Sequence, residues 1–133
     1  MHPSIEPIVP PGHHNKSTFS PAVRAGDYIF VSGNTAVGDD RKIVGEGDIA
    51  AQARVIYGKI AKILEVAGTD LGAVVETTDY VTTFDGYEKT AAVRREVFGD
   101  GPFPAATGVM VSALVRPGAL IEIRAVAYVG RKS

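Results

Sequence analysis

The 133-residue chain contains no cysteine and no tryptophan. Without cysteine it forms no disulfide, offers no thiolate nucleophile and builds no cysteine-ligated metal site. Charge of one sign is missing too: 14 basic against 15 acidic residues leave a net charge of −1. No basic field gathers phosphates, so nucleic acid is not an expected partner. Nowhere do about 18 apolar residues run together, and residues 1–16 hold no apolar leader segment. A soluble, cytoplasmic protein with no membrane partner is the expectation. Several site signatures are absent as well. No Gly-x-Ser-x-Gly elbow occurs, and Gly45-Glu46-Gly47 lacks the lysine and spacing of a phosphate loop. The histidine and carboxylate spacings match no metal site, and neither a metal nor an organic cofactor is expected.

What is present is an ordinary globular composition, 45% apolar and 22% charged, long enough for one self-supporting core. Residues 1–17 read as an irregular arm. Four of the eight prolines and all three histidines fall in its first sixteen residues, and Pro10-Pro11-Gly12 is turn chemistry. Residues 18–133 read as one α+β domain. Tyr28–Gly33 is a strand, with 18–23 as a candidate antiparallel partner and Lys42-Ile43-Val44 a further short one. From Asp48 the period changes. Ile49, Ala53, Ile56, Ile60, Ile63, Leu64 and Ala67 share a helical face, capped by Asp48 and stopped by Gly68. A strand over 74–83 follows, with Val75, Thr77, Asp79 and Val81 on one face. A second helix over 86–98 and strands over 107–112 and 120–129 complete one sheet with both helices on one side. The other side carries Phe30 or Ile29, Val109 or Val111, and Leu120, an apolar face that predicts association with further copies.

Chemistry-bearing residues stand out against this pattern. On the last strand Ile121, Ile123, Ala125, Ala127 and Val129 face the helices, so Leu120, Glu122, Arg124, Val126 and Tyr128 face the open side. Glu122 either pairs with Arg124 or serves as a proton-handling carboxylate in an interface pocket. In the second helix Tyr87, Thr90, Ala91, Arg94, Val97 and Phe98 form one stripe. Arg94 there either snorkels to water or delivers its guanidinium to an anion. Ser32-Gly33 ends a strand, which serves a tight backbone approach or a site. Arg116 lies in the loop between the last two strands, on the surface or at the rim of a pocket. His13 and His14 are exposed arm residues, or they fold over a ligand. A serine triad can be counted from Ser32, either arm histidine and Asp79, but no elbow supports it.

Several segments together carry a resemblance. They are 25–33 (Ala-Gly-Asp-Tyr-Ile-Phe-Val-Ser-Gly), Ala51-Gln52-Ala53, Val66-Ala67-Gly68, the 77–85 strand followed by Tyr87, Phe103-Pro104-Ala105, and Ile121-Glu122-Ile123. The chain resembles the Rid family, the reactive imine and enamine deaminases also called YjgF proteins. That resemblance implies a chorismate-mutase-like fold, one mixed sheet with two helices on one face. It also implies a homotrimer with a central β-barrel and three pockets at subunit interfaces. Glu122 and Ser32 would be the catalytic residues, and Gly33, Arg94, Phe19, Tyr87, Ala106 and Thr107 would line the substrate. The family's Pro-Ala-Arg motif reads Pro104-Ala105-Ala106 here, followed by Thr107. Phe19 stands for the family's pocket tyrosine, and Ala91 and Arg94 replace its helical asparagine and tyrosine. Loss of a buried bidentate anchor costs about 2–5 kcal/mol of binding. Arg94 is then the candidate to return positive charge to the pocket.

The expected function is hydrolysis of an imine, enamine or related conjugated metabolite, aminomuconate-type compounds included, with a small molecule as substrate. A non-catalytic trimeric binding or regulatory protein is the alternative. Endoribonuclease or translation-inhibitor activity is a third reading, disfavoured by the near-neutral charge.

Overall fold

The computed structural model describes residues 1–14 and 16–130. Asn15 of the arm and the last three residues of the domain expected over 18–133 lie outside the described residues. Six strands form one mixed sheet: β1 (Ile5–Ile8), β2 (Ala22–Ala25), β3 (Tyr28–Asn34), β4 (Val74–Val81), β5 (Ala105–Met110) and β6 (Ile121–Tyr128). Their spatial order is β1-β2-β3-β6-β4-β5, with β4 and β5 parallel and every other pair antiparallel. Two helices, α1 (Ile49–Val66) and α2 (Thr90–Phe98), cross between strands. The parallel β4–β5 pair needs such a crossover, and α2 supplies it. Among the described residues no helix is long and apolar enough to cross a membrane.

Helix α1 forms where cap, stop and apolar stripe coincide. The Asp48 carboxylate accepts from the Ala51 N–H at 3.0 Å, and Gly68 leaves the helix at φ 84°. Ile56, Ile60 and Leu64 are fully buried against the sheet, each contributing about 1.5–3 kcal/mol. The opposing sheet positions Ile121, Ile123, Ala125 and Ala127 are buried to 0–1% exposure. Period-2 alternation therefore puts Glu122, Arg124 and Tyr128 on the open face, as expected. Tyr28, Phe30, Val109 and Tyr128 remain exposed. Ile29 is buried, which resolves Phe30 as the outward member of that pair.

Five expectations need correction. The arm is not irregular throughout, since Ile5–Ile8 pairs with β2 at the sheet edge, where Pro7 is tolerated because an edge strand can lack a donor. The partner of β3 is Ala22–Ala25 rather than 18–23. Val75 is exposed while Thr77, Asp79 and Val81 are buried, because the β4–β6 register shifts between Val74 and Glu76 and a bulge reverses the alternation. Leu120 packs against the core instead of facing outward, and it precedes β6. On α2 the buried residues are Thr90 and Val93, while Ala91 is exposed. The stripe is rotated relative to the expected one, because a separate 3₁₀ turn carries Tyr87–Lys89 before the α-helix begins.

Candidate functional site

The buried amide of Gln52 fixes the entry to β6. Its Nε2 donates to the Gly45 and Gly118 carbonyls at 3.1 and 3.2 Å, and its Oε1 accepts from the Leu120 N–H at 2.8 Å. This three-way clamp ties α1 to β6 two residues before Glu122. On the neighbouring strand the β3–β6 register shifts between Val31 and Asn34, so Ser32 and Gly33 sit in a bulge. Bulges re-aim side chains beside sites, and here the bulge brings Gly33 against the Glu122 carboxylate. A Cβ at Gly33 would collide with Glu122 Oε2 and would lie 3.0 Å from its Cδ. Glycine leaves room for this carboxylate position, which any side chain at 33 would displace.

Among the described residues no cation or hydrogen-bond donor pairs with Glu122. The expected alternative, a structural pair with Arg124, is not formed. Ser32 ties the segment leading into β2 to β3: its Oγ donates to Ser20 O at 2.6 Å and its N–H to Pro21 O at 2.9 Å. The hydroxyl oxygen keeps acceptor capacity. A cavity of about 620 Å³ on the open face is lined by Phe19, Phe30, Ser32, Gly33 and Arg124, among others. Phe19 is 61% exposed at its rim and meets the His13 ring edge-on at 6.1 Å. The structure therefore brings Phe19, Ser32 and Gly33 to one cavity, whose lining does not include Glu122; the Glu122 carboxylate lies beside it, against Gly33.

The other four expected site residues gather elsewhere. Arg94 Nη1 donates to Tyr57 Oη at 2.9 Å and Thr77 Oγ1 at 2.8 Å, and Nη2 reaches Pro104 O at 3.4 Å. Its guanidinium also lies over the Phe98 ring at 5.2 Å. Neither snorkelling nor simple exposure describes it. It is part of an internal polar network, with Nε and one Nη2 hydrogen left over. Thr77 pairs with Ala106 in the parallel β4–β5 register, so the Arg94 head lies beside the Ala106 position on the helix side. Tyr87 Oη donates to Asp79 Oδ2 at 2.7 Å, and a Cβ at Gly108 would strike that hydroxyl. Thr107, by alternation, faces the open side instead. Ala106 and Thr107 thus occupy opposite faces of an edge strand.

Asp79, expected as a strand residue and as the acid of the countable serine triad, is 4% exposed and its Oδ1 has no partner. Burial raises its pKa above the ordinary carboxylate value, while the Tyr87 hydroxyl and the Arg94 charge act in the opposite direction. Burial, then the bond to Asp79, pushes the Tyr87 hydroxyl far up, so it remains a neutral donor. Tyr57 is raised mainly by burial. The countable serine triad is not assembled, since Asp79 bonds Tyr87 and Ser32 bonds Ser20. Sequence inspection also passed over Lys59, half-buried, whose Nζ donates to the carbonyls of Thr35 and Val37 at 2.8 and 3.3 Å. Burial lowers its pKa, and the nearby charge of Arg116 lowers it further. The one available signal was its place beside the buried stripe of α1. No group of three or more histidine or acidic residues able to hold a metal occurs among the described residues.

Ser32 on β3 lies three interstrand steps from Ala106 on β5, about 14 Å, and Glu122 on β6 lies two steps from it, about 10 Å. Glu122 faces the open side, whereas Ala106 and the Arg94 head lie on the helix side. One subunit does not bring them into one pocket.

Comparison with known proteins places this geometry among relatives. The family model described as Endoribonuclease L-PSP matches residues 13–129. A RutC family protein of Pyrococcus horikoshii is 36% identical over 110 residues, covering 83% of this chain and 86% of that protein. Among solved structures, a member of the YjgF/YER057c/UK114 family from Mycobacterium tuberculosis is 38% identical at a TM-score of 0.76, covering 92% of this chain and 98% of that one. A Rid family protein from Yersinia pestis is 28% identical at a TM-score of 0.83, covering 94% and 99%.

Proposed function

Because the chain belongs to the Endoribonuclease L-PSP family, which unites the YjgF, RutC and Rid proteins, we propose that it is a cofactor-independent deaminase of an imine, enamine or related conjugated metabolite. Family membership supports a small-molecule deaminase or a related function in general. The observation that carries the finer reading is the unpaired Glu122 carboxylate held against Gly33 in the β3 bulge. Such a carboxylate can accept a proton from water as the water oxygen bonds to an imine carbon. Return of that proton to nitrogen gives the neutral carbinolamine; the carboxylate then relays the carbinolamine's hydroxyl proton to nitrogen as the carbon–nitrogen bond breaks, releasing ammonia and leaving a carbonyl. Ser32 and the Gly33 backbone hold the water or the nascent carbonyl. Phe19 flanks the substrate.

The pocket in this proposal lies between subunits of a homotrimer whose sheets close a central barrel. Two observations support it: the exposed aromatic and aliphatic residues on the open face, and the separation of the two residue groups within one chain. A neighbouring copy would bring Ala106, Thr107, Tyr87 and Arg94 to Glu122. Ala106 offers no guanidinium, so a 2-imino acid is gripped poorly, and the spare donors of Arg94 orient an anion from the helix side.

The alanine at position 106 equally favours a second reading, a trimeric protein that binds a small molecule without turning it over. Ammonia release separates the two. Imines made in situ by an amino-acid oxidase, 2-aminoacrylate, and conjugated enamines lacking an adjacent carboxylate are followed with and without the protein. Acceleration confined to the conjugated compounds is expected. No acceleration with any of them leaves the binding protein.

A further inference from the structure

Beneath the arm lies a second cavity, about 830 Å³, on the helix side of the Ser32–Gly33 step. Pro10, Pro11, Val37, Val44, Val55 and Ile63 supply apolar walls, and Ser32, Gly33 and Phe19 form the end it shares with the open-face pocket. Its charges are unbalanced. Two lysines, Lys59 and Lys62, enter from α1 against one acid, exposed Asp39, among its lining residues. Lys59 is half-buried, and no carboxylate pairs with it among the described residues. The charge that acts on it is a second cation, Arg116. A partly desolvated ammonium without a counter-ion is unfavourable unless something else brings negative charge. Its two backbone acceptors leave one N–H free.

Gly58 adds an independent observation. It lies in the interior of α1 and lines the same cavity. Nothing in the protein comes within 4 Å of where its Cβ would be. Glycine is disfavoured inside a helix, and here no close packing and no positive φ asks for it. Gly58 is exposed, and its missing side chain leaves that stretch of the groove wall open.

We propose that this arm-covered groove binds the anionic end of an elongated, largely apolar substrate whose reacting end lies at Ser32–Gly33, with Lys59 and Lys62 as the counter-charges. The proposal rests on the deaminase reading for the reacting end. It places the anion anchor under the arm, well away from the edge strand where Ala106 cannot supply one. A flat or flexible chain of several carbons fills the apolar stretch, and its carboxylate meets the lysines one helical turn apart on α1.

The test reads binding alone, so that a failure of catalysis and a failure of the groove stay distinct. Hexanoate, 1-hexanol and hexylamine are titrated into the full chain and followed by amide chemical shifts. Hexanoate should bind at least fivefold more tightly than hexanol, hexylamine more weakly still, with shifts at Val37, Gly58 and Lys62. Lys62→Glu should weaken hexanoate by tenfold or more, while Lys89→Glu, the same charge reversal on the exposed 3₁₀ turn outside the groove, leaves its affinity unchanged. Lys59→Met should act similarly, but it also frees two carbonyls, so exposed Lys62 is the decisive variant. Equal affinity for hexanoate and hexanol, shifts confined to other surfaces, or an unaltered affinity in Lys62→Glu overturns the proposal. Hexanoate binding with the predicted lysine dependence but no imine turnover would keep the groove and remove the deaminase reading.

Discussion

Tyr87→Phe removes a single hydroxyl, and the structure sets both the size and the pH dependence of the effect. That hydroxyl makes the one hydrogen bond Asp79 receives from a described side chain, at 2.7 Å, while Oδ1 has none. Asp79 is 4% exposed, so water does not replace the lost donor freely. Stranding a buried acceptor costs about 1–3 kcal/mol, toward the upper end when it is charged. The folded pKa of Asp79 already lies above its ordinary value, and the Tyr87 bond restrains it. Without the bond it rises further. A carboxyl whose folded pKa exceeds its unfolded one binds the extra proton in the folded state. Its stability contribution is then present at acidic pH and is lost as pH climbs through the folded pKa. Tyr87→Phe should therefore be nearly as stable as the parent at pH 4 and about 1–3 kcal/mol less stable at pH 8. Urea unfolding followed by circular dichroism, at matched protein concentration, measures both. An equal loss at the two pH values, or no loss at pH 8, refutes the reasoning.

Two further outcomes are expected. Gly33→Ala introduces no left-handed strain but forces the Glu122 carboxylate to rotate away. Its melting free energy should stay within about 1 kcal/mol of the parent, while turnover of a conjugated imine falls by about 10²-fold. Light scattering at micromolar concentration should give about three times the 14.0 kDa chain mass, and a monomer mass would remove the interface pocket.

Much of this was legible wherever independent local signals agree. The Asp48 cap, the Gly68 stop and the isoleucine stripe all point to α1, and the uniform apolar run at 121, 123, 125 and 127 orients β6 and so Glu122. The edge strand Ile5–Ile8 was hidden because four residues including Pro7 carry little pattern of their own, and pairing with β2 alone defines them. Bulges at Ser32–Gly33 and near Val75 defeat strict alternation, since one extra residue reverses the face of everything beyond it. The Tyr57–Thr77–Asp79–Tyr87–Arg94 network joins α1, β4, a 3₁₀ turn and α2, and no spacing in the chain announces such a meeting. Lys59 reads in sequence as an ordinary polar-face lysine. Only its burial against the loop carbonyls of Thr35 and Val37 distinguishes it.

The central claim is that Glu122 handles the proton of the attacking water. Glu122→Gln preserves shape and hydrogen-bonding size at a position where the native carboxylate has no partner among the described residues, so assembly mass and melting temperature should not change. Ammonia release from a conjugated imine is then compared for parent and variant under identical conditions. The account predicts a fall of roughly 10²–10⁴-fold, the range for a positioned acid or base. A Glu122→Gln protein with the parent's mass, melting temperature and full turnover would contradict it.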